Sequence, residues 1–265
     1  VALKAELDAA VARDAKKPIF VVTHFHPLDT VNSSGSARHD SGLRALFNAY
    51  PQIVNLSGHT HNPLRDPRSI WQGEFTVIDT STLCYGCIEM KRPAANQVSC
   101  LIPYGHESVG CLFVEVYADR MTVRRFSVRD RKEIEPDRPW TFALPYDPRE
   151  PVYSFEARAA KETVPGFGKD AEPTLWYDYG YVYLMFEAVR PLGSVFGYRI
   201  ELAEDDCDAK SYFHLSDYYR LPNHQQERTV FRAPPHAVQA GRRYRCRIFP
   251  VGFFGRFGLF GFFLQ

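Results

Sequence analysis

Two short apolar segments of this chain each end in histidine. The segment at 18–23 is followed by His24, and the segment at 52–57 is followed by the tetrapeptide Gly-His-Thr-His, which carries His59 and His61. Apolar runs of this length without alternation are typical of strands covered on both faces. Neutral imidazole is the commonest protein ligand for a transition metal. On an extended backbone the side chains of His59 and His61 point to one face. We therefore expect the three histidines to meet at the carboxyl edge of a sheet, facing one metal or two neighbouring metals.

The two histidine segments resemble two motifs of the calcineurin-like metallophosphoesterases. In that family one strand ends in histidine, as at His24, and a later strand ends in Gly-His-x-His, as at 58–61. The likeness continues through two further strand-like stretches, at 73–83 and 113–126, and covers roughly residues 1 to 130. The resemblance implies an α+β fold in which this part of the chain belongs to a four-layer αββα sandwich.

The same resemblance implies the chemistry and the ligands. Family members hydrolyse phosphoesters with two divalent or trivalent metal ions, of Mn, Fe or Zn. Carried over, His24 and His59 share one metal, and His61 binds the second. His26 follows the first of these ligands by two residues and is expected to contact the substrate or to support a ligand. The expected substrate is a small-molecule or nucleotide phosphoester.

Three other motifs of the family are not found in this sequence. They are Asp-x-His, Gly-Asp-x-x-Asp and Gly-Asn-His-Asp/Glu, which supply the bridging aspartate and further ligands. We therefore expect residues 1–138 to be the C-terminal portion of a phosphoesterase domain whose N-terminal half lies outside this chain. Without the bridging carboxylate, we expect the chain alone to be inactive.

The composition changes after the phosphoesterase-like part. Prolines at 139, 145, 148 and 151 suit a stiff linker. Strand-like segments follow at 181–188 and 196–202, and alternation at 244–248 places Tyr, Cys and Ile on one face and Arg on the other. The glycine turn at 241 and this alternating strand resemble the last hairpin of a fibronectin type III domain. We therefore expect residues 150–265 to form an all-β sandwich, with the aromatic segment at 253–263 packed at least in part.

Charge and length limit the partners of this chain. A net charge of +1 over 265 residues gives no basic patch for nucleic acid, and the apolar runs are too short to span a bilayer. The β-sandwich is the expected site of any contact with a protein or a surface. The six cysteines do not fix the compartment. Among them, Cys84 and Cys87 have C-x-x-C spacing, for which a metal, a disulfide and buried thiols all stay open.

A second class of function also stays open. The phosphoesterase-like half can be vestigial, with the β-sandwich as the working part of a binding or surface-attachment protein. Intact upstream metal motifs would favour the enzyme, and their loss would favour the binding protein.

Overall fold

The computed structural model describes residues 2–35, 40–90, 98–102, 104–168, 171–204, 208–235, 237–238, 242–258 and 261–264. The chain divides into two compact units, Val1–Arg158 and Ala159–Gln265. It has mixed α and β content with few helices and several sheets, which confirms the broad α+β expectation. No described helix is long and apolar enough to cross a membrane.

The elements of the first unit are α1 Ala2–Arg13, β1 Ile19–Thr23, α2 Ser41–Phe47, β2 Ile53–Ser57, β3 Ile70–Gln72, β4 Thr76–Asp79, β5 Cys87–Met90, β6 Val98–Leu101, β7 Gly110–Val116, β8 Arg120–Ser127, β9 Lys132–Ile134, β10 Trp140–Ala143 and the start of α3 Phe155–Lys161.

The first sheet of this unit has the order β1-β2-β4-β3. Strands β1, β2 and β4 run parallel, and β3 is antiparallel to β4. The carboxyl ends of the three parallel strands therefore lie at one edge. The register pairs Thr23 with Ser57 and Ser57 with Asp79, so the segments that carry His24 and His59 leave the sheet side by side.

The two faces of the first sheet are covered by different layers. On one face, a core that includes Leu7 of α1 and Phe47 of α2 packs against Ile53 and Val77 of the sheet. The next residue along each strand faces the opposite way, because side chains alternate across a strand. On that second face, the sheet packs against β8, β9 and β10 of the second sheet, through a core that includes Val54, Ile78, Val123 and Trp140. The second sheet has the order β10-β8-β7, with β9 paired to β8.

Strand β1 departs from the expectation that both of its faces are covered. Phe20 is 43 % exposed and Val22 is 77 % exposed, although they pair with Val54 and Leu56 of β2 and share their face. The expectation is wrong because β1 is an edge strand. Among the described residues, the core between the two sheets contains side chains of β2, β3 and β4 but none of β1. One face of β1 thus presents large apolar side chains to solvent.

The proline-rich stretch does not form the expected linker. Residues Trp140–Ala143 form β10, which pairs antiparallel with β8. The linker interpretation is wrong because Trp140 and Phe142 alternate inward and are 5 % and 3 % exposed, whereas the prolines at 139 and 145 lie just outside the strand. This stretch belongs to the first unit, whose last residue is Arg158.

The stretch between Cys84 and Gly110 reads as irregular in the sequence but contains an antiparallel strand pair, β5 and β6. Cys84 is an exposed free thiol, and Cys87 is buried. The side chain of Cys100 and the whole of Cys207 lie outside the described residues.

The second unit is a pair of antiparallel sheets. Its strands are β11 Thr174–Asp178, β12 Tyr181–Glu187, β13 Gly197–Glu204, β14 Lys210–Leu215, β15 Arg228–Arg232, β16 Tyr244–Val251 and β17 Gly261–Leu264. One sheet has the order β11-β12-β15, and the other has the order β14-β13-β16-β17. Their shared core includes Leu184 and Phe231 from the first sheet and Ile200, Cys246 and Ile248 from the second.

Two expectations for this unit are confirmed. Cys246 and Ile248 point into the core, and Arg245 and Arg247 are exposed, as the alternation predicts, whereas Tyr244 is half-buried and lies outside this core. In the aromatic C-terminal segment, Phe253 is buried and packs against aromatic rings of the same unit, and β17 pairs with β16. The glycine turn at 241 lies outside the described residues.

Candidate metal centre

The ends of β1 and β2 bring two of the three candidate ligands together. The Nε2 atom of His24 lies 3.1 Å from the Nδ1 atom of His59. The backbone holds the two turns at this spacing, since the N–H of Gly58 donates to the carbonyl of His24 at 3.2 Å. At the start of the first turn, the Thr23 hydroxyl donates to the carbonyl of Phe25 at 2.8 Å. Both rings are accessible, because His24 is exposed and His59 is half-buried.

The nitrogen separation suits a shared metal as well as a hydrogen bond. Two imidazole nitrogens bound to one zinc at about 2.0–2.1 Å lie roughly 3 to 3.5 Å apart in a tetrahedral site. The observed 3.1 Å falls in this range and equally fits an N–H···N hydrogen bond between the rings. A cation that takes both lone pairs would replace the proton shared between them. The spacing of His24 and His59 is therefore compatible with two nitrogens on one metal ion.

The turn that carries His59 and His61 is not extended. Both residues have positive φ, 72° for His59 and 56° for His61. The expectation that an extended H-x-H segment aligns both rings on one face is wrong, because the chain leaves β2 at Ser57 and turns at once. Non-glycine residues in this left-handed region are uncommon, and two of them flanking a single residue indicate a conformation imposed by its surroundings.

His61 lies with a different group of residues. Its ring packs against that of Tyr85 with centroids 4.6 Å apart, and its Nδ1 lies 3.2 Å from the Tyr85 carbonyl oxygen. A carbonyl only accepts, so Nδ1 carries the proton and Nε2 is left as the basic nitrogen. Metal-binding histidines commonly orient their rings in this way. The His61 carbonyl in turn accepts from the N–H of Cys87 at 2.9 Å, which ties the turn to β5.

His26 has no contact with solvent. Its ring is 0 % exposed, with Nδ1 2.6 Å from the Ser57 hydroxyl and Nε2 2.8 Å from the Thr60 hydroxyl. Nε2 is also 3.2 Å from a carboxylate oxygen of Asp79. A fully buried ring cannot touch a substrate, so of the two roles expected for His26 only support of the neighbouring ligands fits this position.

Asp79 lies at the centre of the buried polar network. The same carboxylate oxygen, Oδ2, accepts from the Thr60 hydroxyl at 2.6 Å and from the Asn62 side chain at 3.1 Å. The other, Oδ1, accepts from the N–H of Ser81 at 2.7 Å. Sequence reasoning did not single out Thr60, Asn62 or Asp79. The available signal was a carboxylate at the last position of a buried strand next to the strand that ends in the histidine motif.

The donor set of this chain fits part of a metal centre. Among the residues described by the structure, no group of three or more His, Cys, Asp or Glu side chains is arranged to hold a metal ion. Two nitrogens converge at His24 and His59, and a third is oriented by a carbonyl at His61. The carboxylate of the network, Asp79, is fully buried and already accepts from Thr60, Asn62 and the N–H of Ser81, with His26 Nε2 3.2 Å away. No described carboxylate is therefore placed to bridge two metals.

Comparison of the sequence with protein-family models and with curated proteins finds no match to either.

Proposed function

We propose that this chain is part of a metal-dependent phosphoester hydrolase of the calcineurin-like kind. The proposal depends above all on one observation, the convergence of His24 and His59 at the carboxyl ends of adjacent parallel strands. In the proposed site His24 and His59 hold one metal ion through the two nitrogens that lie 3.1 Å apart. His61 holds the second ion through Nε2, with its ring fixed by the Tyr85 carbonyl.

The solvent-exposed face of β1 supports a further proposal about the rest of the domain. We infer that polypeptide outside this chain adds strands beyond β1, completes the αββα sandwich and brings the carboxylate ligands. Parallel strands are normally covered on both faces, yet Val22 is 77 % exposed. A strand that pairs with β1 in the parallel sense would end beside His24, and further strands of the second sheet would cover Phe20 and Val22. The absent carboxylate ligands and the residues that would bury Phe20 and Val22 are thus both expected next to β1.

The chemistry follows from the ligands. Two metal ions, when bound, would neutralise the phosphoryl oxygens and would supply hydroxide near neutral pH. The residues of this chain hold and orient those ions. The buried network behind them, through Asp79 and Thr60, keeps the histidines in place without touching the substrate. Phosphoryl transfer depends mostly on positioning and on charge neutralisation, so fixed ligand geometry is a large part of the catalytic requirement.

The second unit supports the expected fibronectin type III-like fold. Counted along the chain, its first, second and fifth strands form one sheet, and its fourth, third, sixth and seventh strands form the other. That sequence of strand pairings gives the two-sheet sandwich typical of such domains. The proposed role of this unit is to restrict substrate access or to contact a partner, and not to take part in the chemistry.

The test is a hydrolysis assay on the protein expressed from its complete reading frame. With added Mn²⁺, it should hydrolyse p-nitrophenyl phosphate or the bis-p-nitrophenyl diester. His24→Ala and His59→Ala should each remove most of the rate, because each ligand fixes a cation that stabilises the transition state. The exposed Val152→Ala is a matched control and should leave the rate unchanged. Full activity in both histidine variants would contradict the proposal.

A binding role for the second unit is the second candidate, and the β11–β12 hairpin favours it. Trp176 is 37 % exposed and stacks on Tyr183 with centroids 5.1 Å apart, while Tyr179 at the turn is 90 % exposed at φ 45°. A bulky residue with positive φ and full exposure contributes little to folding, and exposed aromatic side chains are enriched at contact surfaces. If the complete protein has no metal-dependent activity, this hairpin is the surface to test next.

A further inference from the structure

We propose that Thr60 and Asp79 form a buried latch that sets the direction of His59 and His61. The latch is defined by the Thr60 hydroxyl, the Asp79 carboxylate and the His26 ring. It acts on the position of the histidines and not on substrate. Its effect on metal binding rests on the function proposed above, whereas its effect on the shape of the turn does not.

The side chains of the turn at 59–61 point in two directions. Thr60 is 7 % exposed and points inward, while its two neighbours, His59 and His61, are half-buried and belong to the accessible side of the turn. In a turn this tight, anchoring the middle side chain in the interior forces its neighbours outward. The short 2.6 Å hydrogen bond from Thr60 to Asp79 is that anchor.

The backbone of the turn is strained at both histidines. His59 and His61 both adopt left-handed φ values, which cost free energy for residues other than glycine. Such a conformation persists only where other contacts impose it. The same Asp79 carboxylate also holds Ser81, a third residue with positive φ (64°), by accepting from its N–H at 2.7 Å. One carboxylate therefore stabilises the strained turns that follow both β2 and β4.

The protons of the buried network have a defined order. A threonine hydroxyl has a single proton, and an ionised carboxylate can only accept. The Thr60 proton therefore lies in the 2.6 Å bond to Asp79, so His26 must donate its Nε2 proton to Thr60 across 2.8 Å. With a neutral ring, His26 Nδ1 accepts from the Ser57 hydroxyl at 2.6 Å. The chain of donors runs from β2 to His26, then to Thr60, and ends on Asp79 at the carboxyl end of β4.

The matched pair Thr60→Val and Thr60→Ser separates the hydroxyl from the shape of the side chain. Valine keeps the branched shape but leaves Asp79 and His26 without their shared partner. Serine keeps the hydroxyl. We expect Thr60→Val to move the backbone NMR shifts of His59 and His61 away from left-handed values. Thr60→Ser should retain the wild-type shifts. Unchanged shifts in a folded Thr60→Val protein would overturn the latch.

The consequence for ligands is measured with Co²⁺ as the probe, followed through the ring signals of His24 and His59. Loss of a group that supports a metal ligand typically lowers metal affinity about 10–100-fold. We expect a loss of about that size for Thr60→Val and none for Thr60→Ser. If the wild-type chain gives no Co²⁺-dependent change at His24 or His59, the metal centre proposed above is wrong. The backbone shifts then still decide whether the latch exists.

A measurement on the wild-type protein does not depend on whether a variant folds. A long-range ¹⁵N–¹H NMR spectrum of the side chains reports which ring nitrogen of His26 carries a proton. The latch requires a protonated Nε2. An unprotonated Nε2 on His26 would overturn the proposed order of hydrogen-bond donors.

Discussion

At the scale of single residues, neighbouring histidines in this chain have opposite environments. His24 is exposed at the end of β1 and faces His59, whereas His26, two positions later, is fully buried among hydroxyl groups and a carboxylate. The sequence segment Thr-His-Phe-His-Pro does not distinguish them by residue type. The difference arises because the chain turns inward after Phe25 and meets the carboxyl ends of β2 and β4. The exposed His24 is accessible to a metal ion, whereas the buried His26 stabilises the fold through its hydrogen bonds.

This contrast predicts different effects on stability. His26→Ala should lower the free energy of unfolding of the first unit by about 2–4 kcal/mol, because two buried hydroxyls and a carboxylate lose a partner. His24→Ala should change it by less than about 0.5 kcal/mol, since its side chain is exposed. Urea denaturation of the two variants and the wild type measures both values. Equal losses in the two variants would show that the buried network contributes nothing specific.

For the strands, the sequence pattern predicted burial correctly where local residues determine it. The alternation around Cys246 predicted which side chains of β16 enter the core, and the apolar runs before His24 and Gly58 predicted β1 and β2. It failed where the outcome depends on neighbouring strands. An edge strand and a central strand can have the same apolar sequence, so the apolar segment before His24 does not predict that Val22 is exposed. The prolines on either side of β10 likewise favoured a linker, although this segment is a strand whose Trp140 is buried by residues that are distant in sequence.

The same limit applies to the candidate site. The motifs predicted that His24 and His59 meet, because both follow strands whose carboxyl ends share an edge. They did not predict the positive φ values of His59 and His61, since the threonine between them gives no local sign of the buried carboxylate that it contacts. Long-range hydrogen bonds of this kind are set by the register of β2 with β4, which the sequence pattern alone does not specify.

The exposed face of β1 leads to a prediction about association. Unpaired edge strands with apolar side chains promote pairing with other chains. Val22→Lys should therefore reduce self-association of the chain in sedimentation velocity, without lowering the melting temperature, because the side chain is already 77 % exposed. Val152→Lys is the matched control, since Val152 is 46 % exposed and lies outside the strands, beside β3 at the opposite side of the sheet from β1. Equal association of Val22→Lys and wild type would show that β1 is not an associating surface.

In the molecule as a whole, the two units have different proposed roles. The first unit, Val1–Arg158, contains all of the candidate ligands and the buried network behind them. The second unit, Ala159–Gln265, has its own core between two sheets and exposes an aromatic hairpin. The proposed chemistry therefore depends on the first unit together with polypeptide beyond its open edge, while the second unit is expected to serve contact or access.

The number of metal ions bound by the 265-residue chain tests the proposed histidine site. Three histidine nitrogens without a bridging carboxylate should hold at most one divalent ion per chain, and weakly. Equilibrium dialysis with Zn²⁺ should show this single weak site, and His59→Ala should abolish it. A Zn²⁺ site that survives unchanged in His59→Ala would contradict the account, as would two tightly held ions in the wild-type chain.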